Sequence, residues 1–439
     1  MSNIDKLKKV RIDKLKNLEK AGINPYPAEV LRTHTNQGAL DKFSQLSKQK
    51  KRITLVGRIR SIRGHGGSTF CHIEDGSGQI QIYLKQNKVG KKEYQLFLDN
   101  IDIGDFTEVT GLLFKTKKGE KTLEVSKWRI LAKALLPLPE EWYGLKDVEE
   151  RFRKRYLDLI LNKETKEKFK KRSEIIKKIR RFLDDDGFLE VETPILQTLA
   201  GGAKARPFKT HLNALNMDLH LRIAPELYLK RLLVGGFEKI YEMGRNFRNE
   251  GMDREHNPEF TMLEFYAAYW DYKKMMDFTE KLLASLDKKI FKLPFKRVEY
   301  SKIVKKDEKE AFGKILEPTF VINHPIDISP LSKKLDPAEQ GKYQRVARFQ
   351  LVVSGFEICN GFSEINDPID QVERFKVQEK ERKKGDKEAH QFDKDFVEAL
   401  EHGMPPAAGI GIGIDRLVVL LTGSKTLREI ILFPTMKPK

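Results

Sequence analysis

Two stretches of this sequence combine residue types that suit work on a phosphoryl group. The first, YEMGRNFRNEGMDREHNPEFTMLEFYAAY at 241–269, leads from one strand through a polar loop into a second strand. It carries Arg245, Arg248, Glu250, Arg254 and His256, then leaves through Phe260, Met262, Glu264 and Tyr266. Period-two alternation puts those last four on one face, and puts Arg248 and Glu250 together at the end of the incoming strand. A guanidinium so placed binds a phosphate and a carboxylate at once and cancels the repulsion between them. A surface ion-pair patch is the plainer alternative. The second stretch, PPAAGIGIGIDRLVVLLTGS at 405–424, has small residues that allow close backbone approach, then a helix opening at Asp415-Arg416. Arg416 there aims a cation at a phosphate, beside the positive end of the helix. Tight packing alone would also explain the glycines. No G-x-x-x-x-G-K-S/T phosphate loop occurs.

These residues need a scaffold, and the rest of the chain offers one. A helix is expected over Lys163 to Asp186, with Phe169, Ile175, Ile176, Ile179 and Phe182 on one stripe and Gly187 as its stop. FLEVETPIL then reads as a strand broken by Pro194. Upstream, from Ile53 to about Leu135, five short alternating segments with turns between them fit a small barrel of the OB kind. KKEYQLFLDNIDIGD, between the third and fourth, reads as a capping helix. Residues 1–22 read as an amphipathic helix ended by Gly22, with seven basic side chains among its first 20 residues. Those could touch a polyanion, or the helix could simply pack on its own domain. Pro137, Pro139 and Gly144 mark a stiff hinge at 139–150, so the expected order is helix 1–22, barrel 23–138, hinge, and one large α+β unit over 151–439.

The totals agree. Length 439 asks for more than one core, and 39% hydrophobic with 33% charged residues describes a globular chain. Lys plus Arg exceeds Asp plus Glu by 83 to 64, a surplus that favours a polyanionic partner such as nucleic acid. The longest apolar run, Ile410 to Leu421, is interrupted by Asp415 and Arg416 and is too short to span a bilayer. The N-terminus has no continuous apolar stretch of a secretion signal, and a cytoplasmic setting is expected. Cys71 and Cys359 are far apart and outside any C-x-x-C cluster, which argues against disulfides and zinc.

In order and spacing, the long helix with its strand, the arginine-rich hairpin and the glycine-rich strand with its helix resemble motifs 1, 2 and 3 of the class II aminoacyl-tRNA synthetases. Within that family the resemblance is to the lysine branch of bacterial type. It is carried by RYLDLILN, GFLEVETPIL, GGAKARPFKTHLNAL, LRIAPELYLKRLLVGGFEKIYEMGRNFRNEG, HNPEFTMLEFY, EICNGFSEINDPIDQVERF and GIGIDRLVVLLTGSKTLREIILFP, nearly the whole chain. The class I signatures HIGH and KMSKS are absent. The resemblance implies an antiparallel sheet flanked by helices, a homodimer through motif 1, and a two-step reaction in which lysine and ATP give lysyl-adenylate and then lysyl-tRNA.

Carried onto this chain, it implies that Arg248 bridges the lysine carboxylate and the α-phosphate. Glu250 and His256 would position ATP, Phe260 would stack on adenine, and Arg416 would hold the γ-phosphate. A buried ammonium needs carboxylate partners. The resemblance assigns Glu226 and Glu364 to it, with Gly202, Glu264, Tyr266, Asn360 and Phe362 completing the pocket. Magnesium on ATP is usually held by two glutamates on one strand in this family; here Glu357 fills one place and Gln350 the other, which implies a weaker site. In the barrel, Arg63, Phe70 and Gln81 match positions used on the lysine anticodon, with Phe70 as a core residue the alternative, and Lys127 replaces an expected acidic residue. The segment between motif 2 and Pro318 is shorter than the helical insertion of relatives. A lysine ligase acting on protein, or a regulatory paralogue without catalysis, are the rival functions.

Overall fold

The computed structural model describes residues 2–139, 147–340, 344–386, 388–389 and 391–438. The chain divides into two compact units, Met1–Leu145 and Lys146–Lys439. Of the hinge expected at 139–150, residues 140–146 lie outside the described residues, and its last three residues already belong to the helix Val148–Arg153. No described helix is long and apolar enough to cross a membrane.

In the first unit, β1 (Ile53–His65), β2 (Ser68–Glu74), β3 (Gln79–Lys85), β4 (Phe106–Lys115) and β5 (Lys121–Ala132) close into a barrel in the order β1-β2-β3-β5-β4. Strict alternation drives this: Thr69, Cys71 and Ile73 on β2, and Ile80, Ile82 and Leu84 on β3, are buried while their neighbours are not. The helix Lys91–Asn100 plugs the barrel with Tyr94 and Phe97, and Trp128 packs edge-on to Phe97 at 5.2 Å. The N-terminal helix Asn3–Lys20 begins with a reciprocal cap between Ser2 and Asp5. Two of its cations hold it to the barrel: Arg11 donates to Ala134 O (2.8 Å), and Lys14 pairs with Asp102 (2.6 Å).

The second unit contains β6 (Leu189–Glu190), β7 (Leu196–Gln197), β8 (Lys209–Leu212), β9 (Met217–Leu221), β10 (Lys239–Phe247), β11 (Glu259–Ala268), β12 (Lys296–Glu299), β13 (Thr319–Ile322), β14 (Arg348–Val353), β15 (Phe356–Ser363) and β16 (Ala407–Gly413). Eight form one sheet in the order β12-β13-β14-β15-β16-β11-β10-β6, and β7-β9-β8 form a small one. From β13 to β10 the pairing is antiparallel as expected, but both edges are parallel, β12 on β13 and β6 on β10. A parallel pair needs a crossover; the short segment before Pro318 supplies it for β12, with helices Tyr300–Ile303 and Glu308–Gly313.

The strand expected over FLEVETPIL is much shorter. Val191 N still donates to Tyr241 O (2.9 Å), but the Thr193 N–H turns to the Glu242 carboxylate and Pro194 has no donor, so β6 ends. The helix Lys163–Asp185 buries Ile175, Ile179 and Leu183 in the main core, against the sheet face that also presents Leu263, Phe265, Ile410 and Ile412. Ile179→Ala should lower stability by about 2–5 kcal/mol. A urea midpoint for this unit equal to that of the unsubstituted protein would show that the helix is not anchored through this side chain.

Candidate active site

A cavity of about 600 Å³ opens on the sheet face opposite that core. Along β11 the side chains alternate as the sequence implied: Phe260, Met262, Glu264 and Tyr266 line the cavity, while Leu263, Phe265 and Ala267 face the core. On the neighbouring strand β16, Gly409, Gly411 and Gly413 border the same space. A Cβ at Gly409 would collide with the Tyr266 ring and Glu364 Oε1, so a side chain there would fill the floor. Gly202 also borders the cavity, with φ +85° and Glu226 Cβ 2.9 Å from where its own Cβ would stand.

One end of the cavity is cationic. Arg248 lies just past the end of β10, where its N–H extends the ladder to Pro258 O (2.9 Å) and its guanidinium sits 5.1 Å from the Phe260 ring centre. Burial pushes this guanidinium down from its usual value, and Glu250, Glu264 and Glu357 oppose that. Glu250 also lines the cavity, from the exposed loop beyond the strand. Arg416, in the first turn of helix Ile414–Thr422, donates to Glu357 O (3.0 Å) and lies 3.2 Å from His256 Nε2. His256 Nδ1 lies 2.9 Å from Asp253, so Nδ1–H faces that carboxylate and Nε2 accepts from Arg416. Asp415 accepts from Thr261 N (2.9 Å) and pairs with Arg172 of the long helix (2.6 Å).

The other end is anionic. Glu226 starts the helix Glu226–Val234, and Glu364 follows β15. Glu226 and Glu264 line the cavity, whereas Glu364 is 1% exposed and faces the cavity over Gly409. Tyr266 donates to Glu264 Oε2 (2.9 Å). Burial first, and then the charge of Glu226, push the Glu264 carboxyl up to about 8. Burial likewise raises Glu226 and Glu364. Phe362 and Asn360 border the pocket from β15.

Two residues here were missed from the sequence. Lys230 is fully buried and pairs with both Glu226 Oε1 (2.6 Å) and Glu364 Oε2 (2.5 Å). Its signal was the i, i+4 spacing from Glu226 on a helix otherwise apolar on that side. Arg348 donates to Asn360 Oδ1 (2.9 Å), Ile328 O (2.8 Å) and Ser329 Oγ (3.0 Å), which leaves the Asn360 amide N–H groups for the cavity.

Gln350 does not line this cavity, contrary to its expected place beside Glu357. It is buried, with Oε1 2.6 Å from Nε2 of His324, whose ring lies against Tyr300 (4.7 Å). Burial and the nearby Arg348 push His324 down to about 3, so it is neutral. Among the described residues no group of three His, Cys, Asp or Glu could hold a metal ion.

On the barrel, Phe70 points outward and is not a core residue. It pairs across strands with the exposed Arg63, and its ring stacks 4.6 Å from Tyr83, which in turn lies 5.9 Å from Phe114. Gln81 shares this outer face; it donates to Glu120 (2.8 Å) and accepts from Thr122 (2.7 Å).

Residues 147–437 match the family of class II tRNA synthetases (D, K and N), and residues 53–131 match the OB-fold nucleic acid binding domain. The chain belongs to the class II tRNA synthetases and is an aminoacyl-tRNA ligase. Among its relatives, the lysine–tRNA ligase of Carboxydothermus hydrogenoformans is 49% identical over 99% of this chain and 99% of its own length. That of Pelotomaculum thermopropionicum is 49% identical over 100% of this chain and 96% of its own, and that of Bacillus cytotoxicus 44% over 98% and 97%. The first alignment runs over 489 positions against 439 residues here, so that relative has segments this chain lacks.

The buried carboxyl gives a pH signature. An unfolded chain releases the Glu264 proton near the ordinary 4.5, the folded one only near 8, so folding binds the proton across that window. Stability of the unliganded protein should therefore fall as pH rises from about 5 to 8, and Glu264→Gln should flatten that slope. Parallel slopes in thermal midpoint for the two proteins would overturn the assignment.

Proposed function

We propose that this chain activates L-lysine with ATP to lysyl-adenylate and transfers it to the 3′ end of tRNA(Lys). The observation that carries the reading is a single cavity with arginines at one end and buried carboxylates at the other. An α-amino acid with a distal ammonium fits it. The lysine ε-ammonium lies toward Glu226 and Glu364, and Gly202, Glu264, Tyr266, Asn360 and Phe362 frame the rest of the amino acid.

In the first step a lysine carboxylate oxygen attacks the α-phosphorus of ATP, the P–O bond to the β-phosphate breaks, and pyrophosphate leaves. Arg248 neutralises both reacting groups as they meet, and its place over Phe260 lets that ring stack on adenine. Glu250 and His256 orient the nucleotide, and Arg416 takes charge at the γ-phosphate. In the second step a terminal tRNA hydroxyl attacks the carbonyl and AMP leaves. The residues present fit magnesium in a modest way: one carboxylate plus substrate phosphates and water is a usual arrangement, so Glu357 would hold the ion and Gln350, turned to His324, would not. When bound, magnesium supplies charge to the phosphate oxygens.

Arg63, Phe70 and Gln81 form the anticodon face of the barrel in this reading, extended by Tyr83. The homodimer is supported by the open edge at β6, beside which Leu189, Ile195 and Leu196 are exposed. Two free, buried cysteines are in keeping with a cytoplasmic setting.

The test is ATP–pyrophosphate exchange with each amino acid, followed by charging of total tRNA. Exchange is expected with lysine and charging with tRNA(Lys); exchange without charging would favour a protein-modifying ligase, and no exchange a regulatory paralogue. Arg248→Ala should cost about 10²–10³-fold in exchange kcat/KM, and an unaffected rate would remove it from the reacting centre. Phe70→Ala and Tyr83→Ala should each weaken tRNA binding by about 1–3 kcal/mol with exchange unchanged. Equal KM for tRNA would take the aromatic face out of recognition.

A further inference from the structure

The carboxylates proposed to receive the substrate ammonium already hold an ammonium of the protein's own. Lys230 Nζ reaches Glu226 Oε1 at 2.6 Å and Glu364 Oε2 at 2.5 Å, with the side chain fully buried. Its remaining surroundings are aromatic: Nζ lies 5.3 Å from the Phe362 ring centre and 5.9 Å from that of Phe396. The ammonium donates to Glu226, is ion-paired with Glu364 and is otherwise bordered by aromatic rings, which together hold it in place. Among the described residues neither oxygen of the buried Glu364 has a well-angled hydrogen-bond donor; Oε2 has the Lys230 ion pair, whereas Oε1 has no cation of its own and faces the space that Gly409 leaves open. A buried charged oxygen without a donor is costly unless a ligand supplies one.

From this geometry we infer that Lys230 is a positioning and specificity residue: it takes one oxygen from each of Glu226 and Glu364 and leaves the pair ready for a single further ammonium. The inference rests on the lysine reading above. With Lys230 present, two carboxylates and one cation leave room for one positive charge, and the substrate completes a two-by-two arrangement. A neutral side chain would leave the pair unbalanced. The groups that face this cluster are Glu264 and Tyr266 from β11 and Arg348 from β14, and none of them is placed to substitute for the Lys230 contacts.

This arrangement makes a prediction that a merely structural lysine does not. In Glu226→Gln the internal and incoming ammoniums must share the single carboxylate of Glu364, and the lysine KM in pyrophosphate exchange should rise at least about tenfold. Adding Lys230→Met to that variant frees Glu364 for the substrate, and the KM should recover by about fivefold, because the buried charges balance again. KM for ATP should stay the same in both. A lysine that only holds the fold would make the double variant worse than the single one, and a double variant no better than Glu226→Gln overturns the inference. Thermal midpoints establish that each protein is folded. The mirror pair, Glu364→Gln with and without Lys230→Met, reads the same effect where the first pair does not fold. Absence of lysine-dependent exchange in the unsubstituted protein would instead refute the functional reading. Normal exchange there without rescue refutes the role of Lys230 alone.

Discussion

Three carboxylates cannot be gathered in a cavity floor without cations to answer them, and the architecture around Glu226, Glu264 and Glu364 is organised by that constraint. Each is 6% exposed or less. Loss of hydration alone would drive them to the neutral acid. Lys230 answers two of them and Tyr266 donates to the third. The surplus negative charge that remains is what a cationic side chain would satisfy. A pocket of this kind is selective because its unliganded state is poorly solvated: the right ligand removes a penalty, and a neutral one leaves it standing.

The central strand β11 carries this end and the cationic end on one face. Four alternate residues, Phe260 to Tyr266, span about 20 Å at strand rise, enough to lay an amino acid and a nucleotide head to tail. Because β11 lies between β16 and β10 inside the sheet, its backbone is fixed on both sides. Glycines on β16 keep the floor low where the carboxylates stand.

Much of this was readable from residue order. The alternation over 260–266, the barrel strands and the helix before Gly187 follow from local patterns, which the fold respects. What escaped depended on partners distant in sequence. Lys230 looks like any helical lysine until Glu364 is brought beside it. Arg348 is one more cation in a basic chain until the Asn360 side chain on β15 is brought within its reach. Gln350 alternates toward the cavity side of the sheet, yet His324, two residues past the end of β13, takes its amide oxygen. The stretch around Pro194 has strand-like composition, but a side-chain carboxylate, Glu242, captures the donor the ladder would have used. Phe70 could have filled the barrel on composition alone; register, set by its Arg63 and Tyr83 partners, turned it outward.

The three motifs are separate in sequence but meet at one side chain. Asp415, 2% exposed, opens the motif 3 helix, accepts the backbone N–H of Thr261 in motif 2, and pairs with Arg172 on the motif 1 helix. A carboxylate in the first turn of a helix is favoured by the helix dipole, so its charge is stabilised from three directions. The neighbouring Arg416 is then held at the helix start with little freedom, its guanidinium between Glu357 and His256. A shift of the long helix would therefore be transmitted through Asp415 to the cation at the far end of the cavity. That coupling gives a physical reason for a helix with no side chain in the cavity to recur with the two motifs that line it.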